Sequence, residues 1–147
     1  GLVIVDKEPL GDMYAVGHLD TPGKAVGVAV SGSYAYVADS EYGLSIINAA
    51  DPSSPVAVGV IDTPGSAVDV TLAGSLAYVA DSKGGMHVIN IANPAAPAFL
   101  YSYDTLGSAR GVAWSAGGLF VADAEGGLVT YSTPPAGYSL FLPLSLR

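Results

Sequence analysis

The 147-residue chain has no cysteine, which excludes a disulfide framework and a thiolate metal site. Basic residues are also scarce: five Lys and Arg stand against thirteen Asp and Glu, for a net charge of −8. A nucleic-acid binder needs a basic stripe, and this chain cannot build one. An anionic membrane surface is disfavoured for the same reason. Half the residues are apolar and only 12% are charged, yet no apolar run reaches the roughly 18–20 residues of a membrane helix. Membrane insertion is therefore not expected. Glycines such as Gly23, Gly27, Gly32 and Gly43 cut the hydrophobic stretches short, so the apolar content must be buried in many short elements. No Asn-Xaa-Ser/Thr sequon occurs.

What the chain does have is repetition. The letters AYVADS occur at 35–40 and again at 77–82, and LFVADA follows at 119–124. GLVIVD at 1–6 aligns with GLSIIN at 43–48, GMHVIN at 85–90 and GLVTYS at 127–132, so the period is 42 residues. HLDTPGKAVGVAV at 18–30 aligns with VIDTPGSAVDVTL at 60–72 and SYDTLGSARGVAW at 102–114. A period of roughly 40–45 residues holding four strand-like segments predicts propeller blades. In one unit the expected strands are 67–72, 76–80, 86–90 and 98–103, separated by turns rich in Gly, Asp and Pro. Gly or Pro interrupts nearly every window long enough for a helix.

The predicted fold is thus all-β: propeller-type four-stranded blades, about three and a half in this chain. A partial blade is expected at 1–19, full blades at 25–61 and 67–103, and another from 109, together spanning 1–132. Residues 133–147 read as a Pro-rich linker and a strand-like tail, with Tyr138–Leu142 offered as the fourth strand of the last blade. The hydroxyl- and Pro-rich linker also has the composition of an O-glycosylated segment. Closed propellers usually have about four to eight blades. The count and the abrupt start at Gly1 favour a piece of a longer propeller, a half-ring that dimerises, or an open array of copies. Partners are accordingly expected to be other protein chains or further copies of this one, forming a homo-oligomer.

LVIVD at 2–6, AYVAD at 35–39 and 77–81, and DTPG at 20–23 and 62–65 carry a resemblance to the LVIVD-repeat family of bacterial β-propeller proteins. The resemblance covers nearly all of 1–132. It implies the same blade fold and an extracellular or cell-surface bacterial location. It brings no catalytic motif to carry over.

Sites for chemistry are few. The two histidines, His18 and His87, fall at different repeat positions, on a fourth and a third strand, without metal-ligand spacing. Each is expected to be a partly exposed strand residue. No Gly-Xaa-Ser-Xaa-Gly elbow occurs, and no serine has an evident histidine partner. Carboxylates are the richer signal. Asp20, Asp62 and Asp104 share one repeat position and Asp39, Asp81 and Asp123 another, in turns expected on one rim with Glu41 and Glu125. This predicts an acidic contact rim able to attract a cationic partner or Ca²⁺. The competing expectation is that these aspartates hold their own turns. No other cofactor is expected, and no Asp-Xaa-Asp-Xaa-Asp loop supplies calcium ligands. Arg110 and Trp114 depart from the Val and Leu of their repeat positions and mark a possible contact spot on one strand; local repacking is the alternative.

The sequence thus supports a non-enzymatic extracellular interaction or structural repeat module. A filament subunit is one alternative. The other is the C-terminal part of a propeller enzyme whose catalytic residues lie outside this chain.

Overall fold

The structure, a computed structural model, describes residues 1–7, 11–116, 118–132 and 142–144. The described residues contain strands and turns and no helix. Strands β1 (Leu2–Lys7) and β2 (Met13–Leu19) form a two-stranded sheet. Strands β3 (Gly27–Ser31), β4 (Tyr34–Ala38), β5 (Leu44–Asn48) and β6 (Val56–Ile61) form the second sheet, in chain order. The third is β7 (Asp69–Ala73), β8 (Leu76–Ala80), β9 (Met86–Asn90) and β10 (Ala98–Tyr103). The fourth is β11 (Ala109–Ser115), β12 (Gly118–Asp123), β13 (Gly127–Ser132) and β14 (Leu142–Leu144). All pairings are antiparallel meanders, as expected for segments joined by short Gly-containing turns.

These are the four-stranded blades of a propeller-type repeat. The first strand of the third sheet starts at Asp69, two residues later than its apolar run, because Ala67 instead bridges to the preceding sheet. Leu142–Leu144 pairs with β13 in the position of a fourth strand. The rest of the expected linker and tail, 133–141 and 145–147, lies outside the described residues.

Sheets stack face to face, which explains why β4, β8, β5 and β9 are buried on both faces and largely apolar rather than alternating. One core joins Tyr36, Ala38, Leu44 and Ile46 to Ala67, Val70, Ala77, Val79 and Ile89. The next joins Tyr78, Ala80, Met86 and Val88 to Ala109, Val112, Leu119, Val121 and Tyr131. Each residue of the second set lies one repeat beyond its counterpart in the first, so one packing solution is used twice. Small Ala35 and Ala38 let the sheets approach, and the tyrosines fill the gap beside them.

Backbone bonds also cross between blades. Ser40 exchanges two hydrogen bonds of 3.0 Å with Ala67, and Ser82 pairs in the same way with Ala109. To make this exchange Ser40 and Ser82 adopt left-handed φ values of 54° and 52°, uncommon for a residue with a side chain. A strand bulge recurs near Gly17 and Gly59, where the fourth strand passes close under the next blade's proline loop.

Candidate functional site

The chemistry-bearing residues gather where each blade's entry turn meets its hairpin between second and third strands. In the second sheet the Thr21 hydroxyl donates to Asp39 Oδ1 at 2.6 Å and the Gly23 N–H to Oδ2 at 3.0 Å. Ser45 adds a longer bond to Oδ2 at 3.4 Å. In the third sheet Thr63 donates to Asp81 Oδ1 at 2.6 Å and the Gly65 N–H to Oδ2 at 2.6 Å. Each aspartate ends a second strand and reaches back to the turn 16–18 residues earlier. An ionised carboxylate can accept several such donors at once, and charge-assisted bonds are the strong ones.

Where Ser45 stands in the second sheet, the third carries His87. Its Nε2 lies 2.8 Å from Asp81 Oδ2, and both side chains are buried. Its Nδ1 lies 2.9 Å from the Ser102 hydroxyl on β10, directly across the β9–β10 pairing. A carboxylate only accepts, so Nε2 carries the proton, and in the neutral ring Nδ1 accepts from Ser102. Phe99 packs edge-on to the imidazole, with ring centres 5.1 Å apart.

Two sequence expectations need correction here. His87 is fully buried rather than partly exposed, because its strand is sandwiched between blades. Ser102 is the histidine partner that the sequence did not reveal. The Asp81–His87 signal was present, since the two flank one hairpin six residues apart. The Ser102 contact depends on strand register, which a bulge between Phe99 and Tyr101 resets, and no local pattern announces it. His18 is exposed on β2, as expected.

An acid, an imidazole and a hydroxyl in line are the parts of a nucleophilic triad. Asp81 is at the same time engaged by Thr63 and Gly65, so the three side chains also tie the entry turn, the hairpin and β10 together.

The third copy of the clip differs. The Gly107 N–H donates to Asp123 Oδ2 at 2.8 Å, and the Ser108 N–H to Glu125 at 2.9 Å. Asp123 Oδ1 and the Thr105 hydroxyl are buried without a hydrogen-bond partner among the described residues. Val129 occupies the position of Ser45 and His87, and its side chain has no donor to offer.

The eight residues expected on an acidic rim therefore divide. Asp39, Asp81 and Asp123 are buried and are not contact residues: their turns fold over them because the entry-turn donors need acceptors. Asp20, Glu41, Asp62, Asp104 and Glu125 are exposed on the same turns. Among the described residues, no group of three or more His, Asp or Glu is placed to hold a metal ion. A surface cavity of about 460 Å³ lies on this rim, lined by Pro22, Lys24, Ser40, Glu41, Tyr42 and Ser66 among others.

Arg110 and Trp114 share β11 but differ in exposure. Arg110 is exposed, whereas Trp114 is half-buried and stacks on Tyr78 with ring centres 5.5 Å apart and planes 3° off parallel. Trp114 is thus the local repacking that the sequence left as an alternative. On the same strand, Asp69 of the neighbouring β7 accepts the Val112 N–H at 2.9 Å and ties the first strands of successive blades together.

The LVIVD repeat family matches the chain at residues 22–63 and again at 64–105, two contiguous units in register with the clips. The chain belongs to the LVIVD repeat family. Its fold is also similar to that of a solved structure, the computationally designed Ika4 protein. The TM-score is 0.61 at 9% identity, over 77% of this chain and 68% of that one. At that identity the likeness speaks for the fold alone. No curated protein matches the chain.

Proposed function

We propose that this LVIVD-repeat chain is a non-enzymatic module of a bacterial surface or secreted protein, whose turn rim makes contact with a cationic protein partner. One observation carries the reading: the clip aspartates Asp39 and Asp81 face inward, saturated by turn donors, while Asp20, Glu41, Asp62, Asp104 and Glu125 of the same turns face solvent. Inward carboxylates hold the loops rigid, and outward ones set the charge. Lys24 and Lys83 are the basic residues of these turns, so the field there is negative and attracts positive charge. Exposed Tyr42, beside the rim cavity, adds an aromatic contact of the kind enriched at interfaces.

The test is retention of the chain on an immobilised oligolysine peptide as salt is varied. The reading expects retention at low salt, loss at high salt, and loss at all salts for the triple variant Asp20→Lys, Asp62→Lys, Asp104→Lys. Retention unchanged by the triple variant would overturn it. Protease digestion of intact source cells tests the location: the module is expected to be cleaved without lysis.

A second reading, a self-assembling subunit, is favoured by the last sheet. Phe120, Ala122 and Leu128 hold the repeat positions of the buried Tyr36, Ala38 and Leu44, yet all three are exposed. A face built for blade packing and exposed among the described residues fits another copy. Light scattering on a sizing column tests this reading. Self-association abolished by the pair Phe120→Asp and Leu128→Asp supports it, and a monomer at high concentration removes it.

A further inference from the structure

The rim cavity of about 460 Å³ lies over the hairpin of the second sheet, between that blade's own entry turn and Ser66 in the entry turn of the next. Its floor and both walls thus come from residues 22–66. Hydrogen bonds hold all three. The Ser40 hydroxyl donates to the Lys24 carbonyl at 2.8 Å and ties the floor to one wall. The Ser40–Ala67 exchange ties it to the other. The Tyr42 N–H donates to the Asp39 carbonyl at 3.2 Å and closes the hairpin. A cavity held in this way exists before a ligand arrives, which lowers the cost of binding.

The repeat separates the scaffold of this cavity from its chemistry. Pro22, Gly23, Ser40 and Ser66 recur one unit on as Pro64, Gly65, Ser82 and Ser108. Lys24, Glu41 and Tyr42 do not recur: Ser66, Lys83 and Gly84 take their positions. The clip does not need them, because Asp81 is held by the same turn donors without them. Among the described residues, no hydrogen bond or ion pair engages the Lys24 ammonium, the Glu41 carboxylate or the Tyr42 hydroxyl. Tyr42 is 49% exposed, and its ring lies against Gly23, where a Cβ would stand 2.9 Å from Cδ2. An aromatic ring backed by glycine, a free donor and a free acceptor therefore border one open cavity.

We propose that this cavity binds a neutral saccharide. The charges of Lys24 and Glu41 offset one another, so the lining selects neither a cation nor an anion. The site is open to solvent, where ion pairs contribute little, and a zwitterion would gain little from it. A pyranose ring uses the same groups without charge. Its apolar C–H face covers the Tyr42 ring, one hydroxyl donates to Glu41, and others accept from Lys24 and the Ser66 hydroxyl. The assignment does not rest on the cationic-partner reading, and salt tells the two apart: contact with a cationic protein is lost at high salt, whereas saccharide binding is retained.

The probes are glucose, maltose, cellobiose and N,N′-diacetylchitobiose, titrated into the full chain labelled with nitrogen-15 and followed by amide chemical shifts. At least one is expected to give saturable shifts at Gly23, Ser40, Glu41, Tyr42 and Ser66, equal at low and high salt. Gly65, Ser82 and Gly84, in the next unit's turns, should not move. Tighter binding of a disaccharide than of glucose assigns the site to a glycan chain, and equal binding assigns it to a single sugar ring; both support the proposal. Tyr42→Ala should weaken binding by at least about tenfold. The pair Lys24→Ala and Glu41→Ala should also weaken it, and tests the site independently if Tyr42→Ala disturbs the fold, which circular dichroism checks. Leu106→Ala, at a fully exposed turn, should change nothing. The proposal is overturned by saturable shifts with none of the four sugars, by equal shifts in the next unit's turns, by loss of binding at high salt, or by binding that these substitutions leave intact in a folded chain.

Discussion

The Thr63 hydroxyl donates to Asp81 Oδ1 at 2.6 Å, joining the turn that enters a blade to the hairpin inside it. The equivalent pair one repeat on, Thr105 and Asp123, makes no such bond. The two sites therefore respond differently to one substitution. Thr63→Val removes a hydrogen bond to a buried carboxylate and is expected to cost about 1.5–3 kcal/mol. Thr105→Val removes a hydroxyl without a partner among the described residues and is expected to cost less than about 0.5 kcal/mol. Urea denaturation of the two variants checks the contrast, and equal losses would contradict it.

Asp81 should be the most sensitive polar residue of its blade. Asp81→Ala strands the Thr63 hydroxyl, the Gly65 N–H and the His87 Nε2–H in a buried site, so a loss of about 3–5 kcal/mol is expected. Ser102→Ala takes the hydroxyl donor from His87 Nδ1 at an exposed position where water can replace it, and is expected to cost about 1 kcal/mol. Thermal melts measure both. If Ser102 were instead an activated nucleophile, a fluorophosphonate probe would label the chain and Ser102→Ala would abolish the label. We expect no labelling.

Alkaline pH should unfold the protein cooperatively. Burial pushes the phenols of Tyr36, Tyr78 and Tyr131 above their usual value of 10.0, and neighbouring Tyr34, Tyr103 and Asp123 add to the effect. The folded state then keeps protons that the unfolded state has released, so stability is intact below pH 10 and falls as pH rises through and beyond it. Absorbance at 295 nm and circular dichroism should change together in one steep transition. Gradual phenol ionisation centred at the ordinary value, with the sheet signal unchanged, would refute this.

Gly59→Ala tests the close approach between blades. A Cβ there would overlap the carbonyl oxygen of Pro94 in the next blade's loop, a backbone atom that cannot swing aside. The expected cost is about 1–3 kcal/mol. Gly74→Ala is a control with open space around its Cβ but a left-handed φ of 57°, so its cost, about 1 kcal/mol, is backbone strain alone.

Much of the fold was legible before any coordinates. A 42-residue period, seen in AYVADS at 35–40 and 77–82, with Gly- and Asp-rich turns between apolar runs, dictates antiparallel hairpins and hence stacked four-stranded sheets. That inference is local: strand length, turn chemistry and repeat spacing all lie in contiguous residues. The direction of each aspartate was not local. Asp39 and Asp62 both lie in turns, but Asp39 has the Thr21 hydroxyl and the Gly23 N–H of an earlier turn above it, and Asp62 faces water. Long-range donors therefore separated a structural carboxylate from a surface one. The same holds for His87, whose meeting with Ser102 required the bulge that sets the β9–β10 register. Burial of Val70 and exposure of Val28, identical residues at one repeat position, depend only on whether a neighbouring strand stands over them.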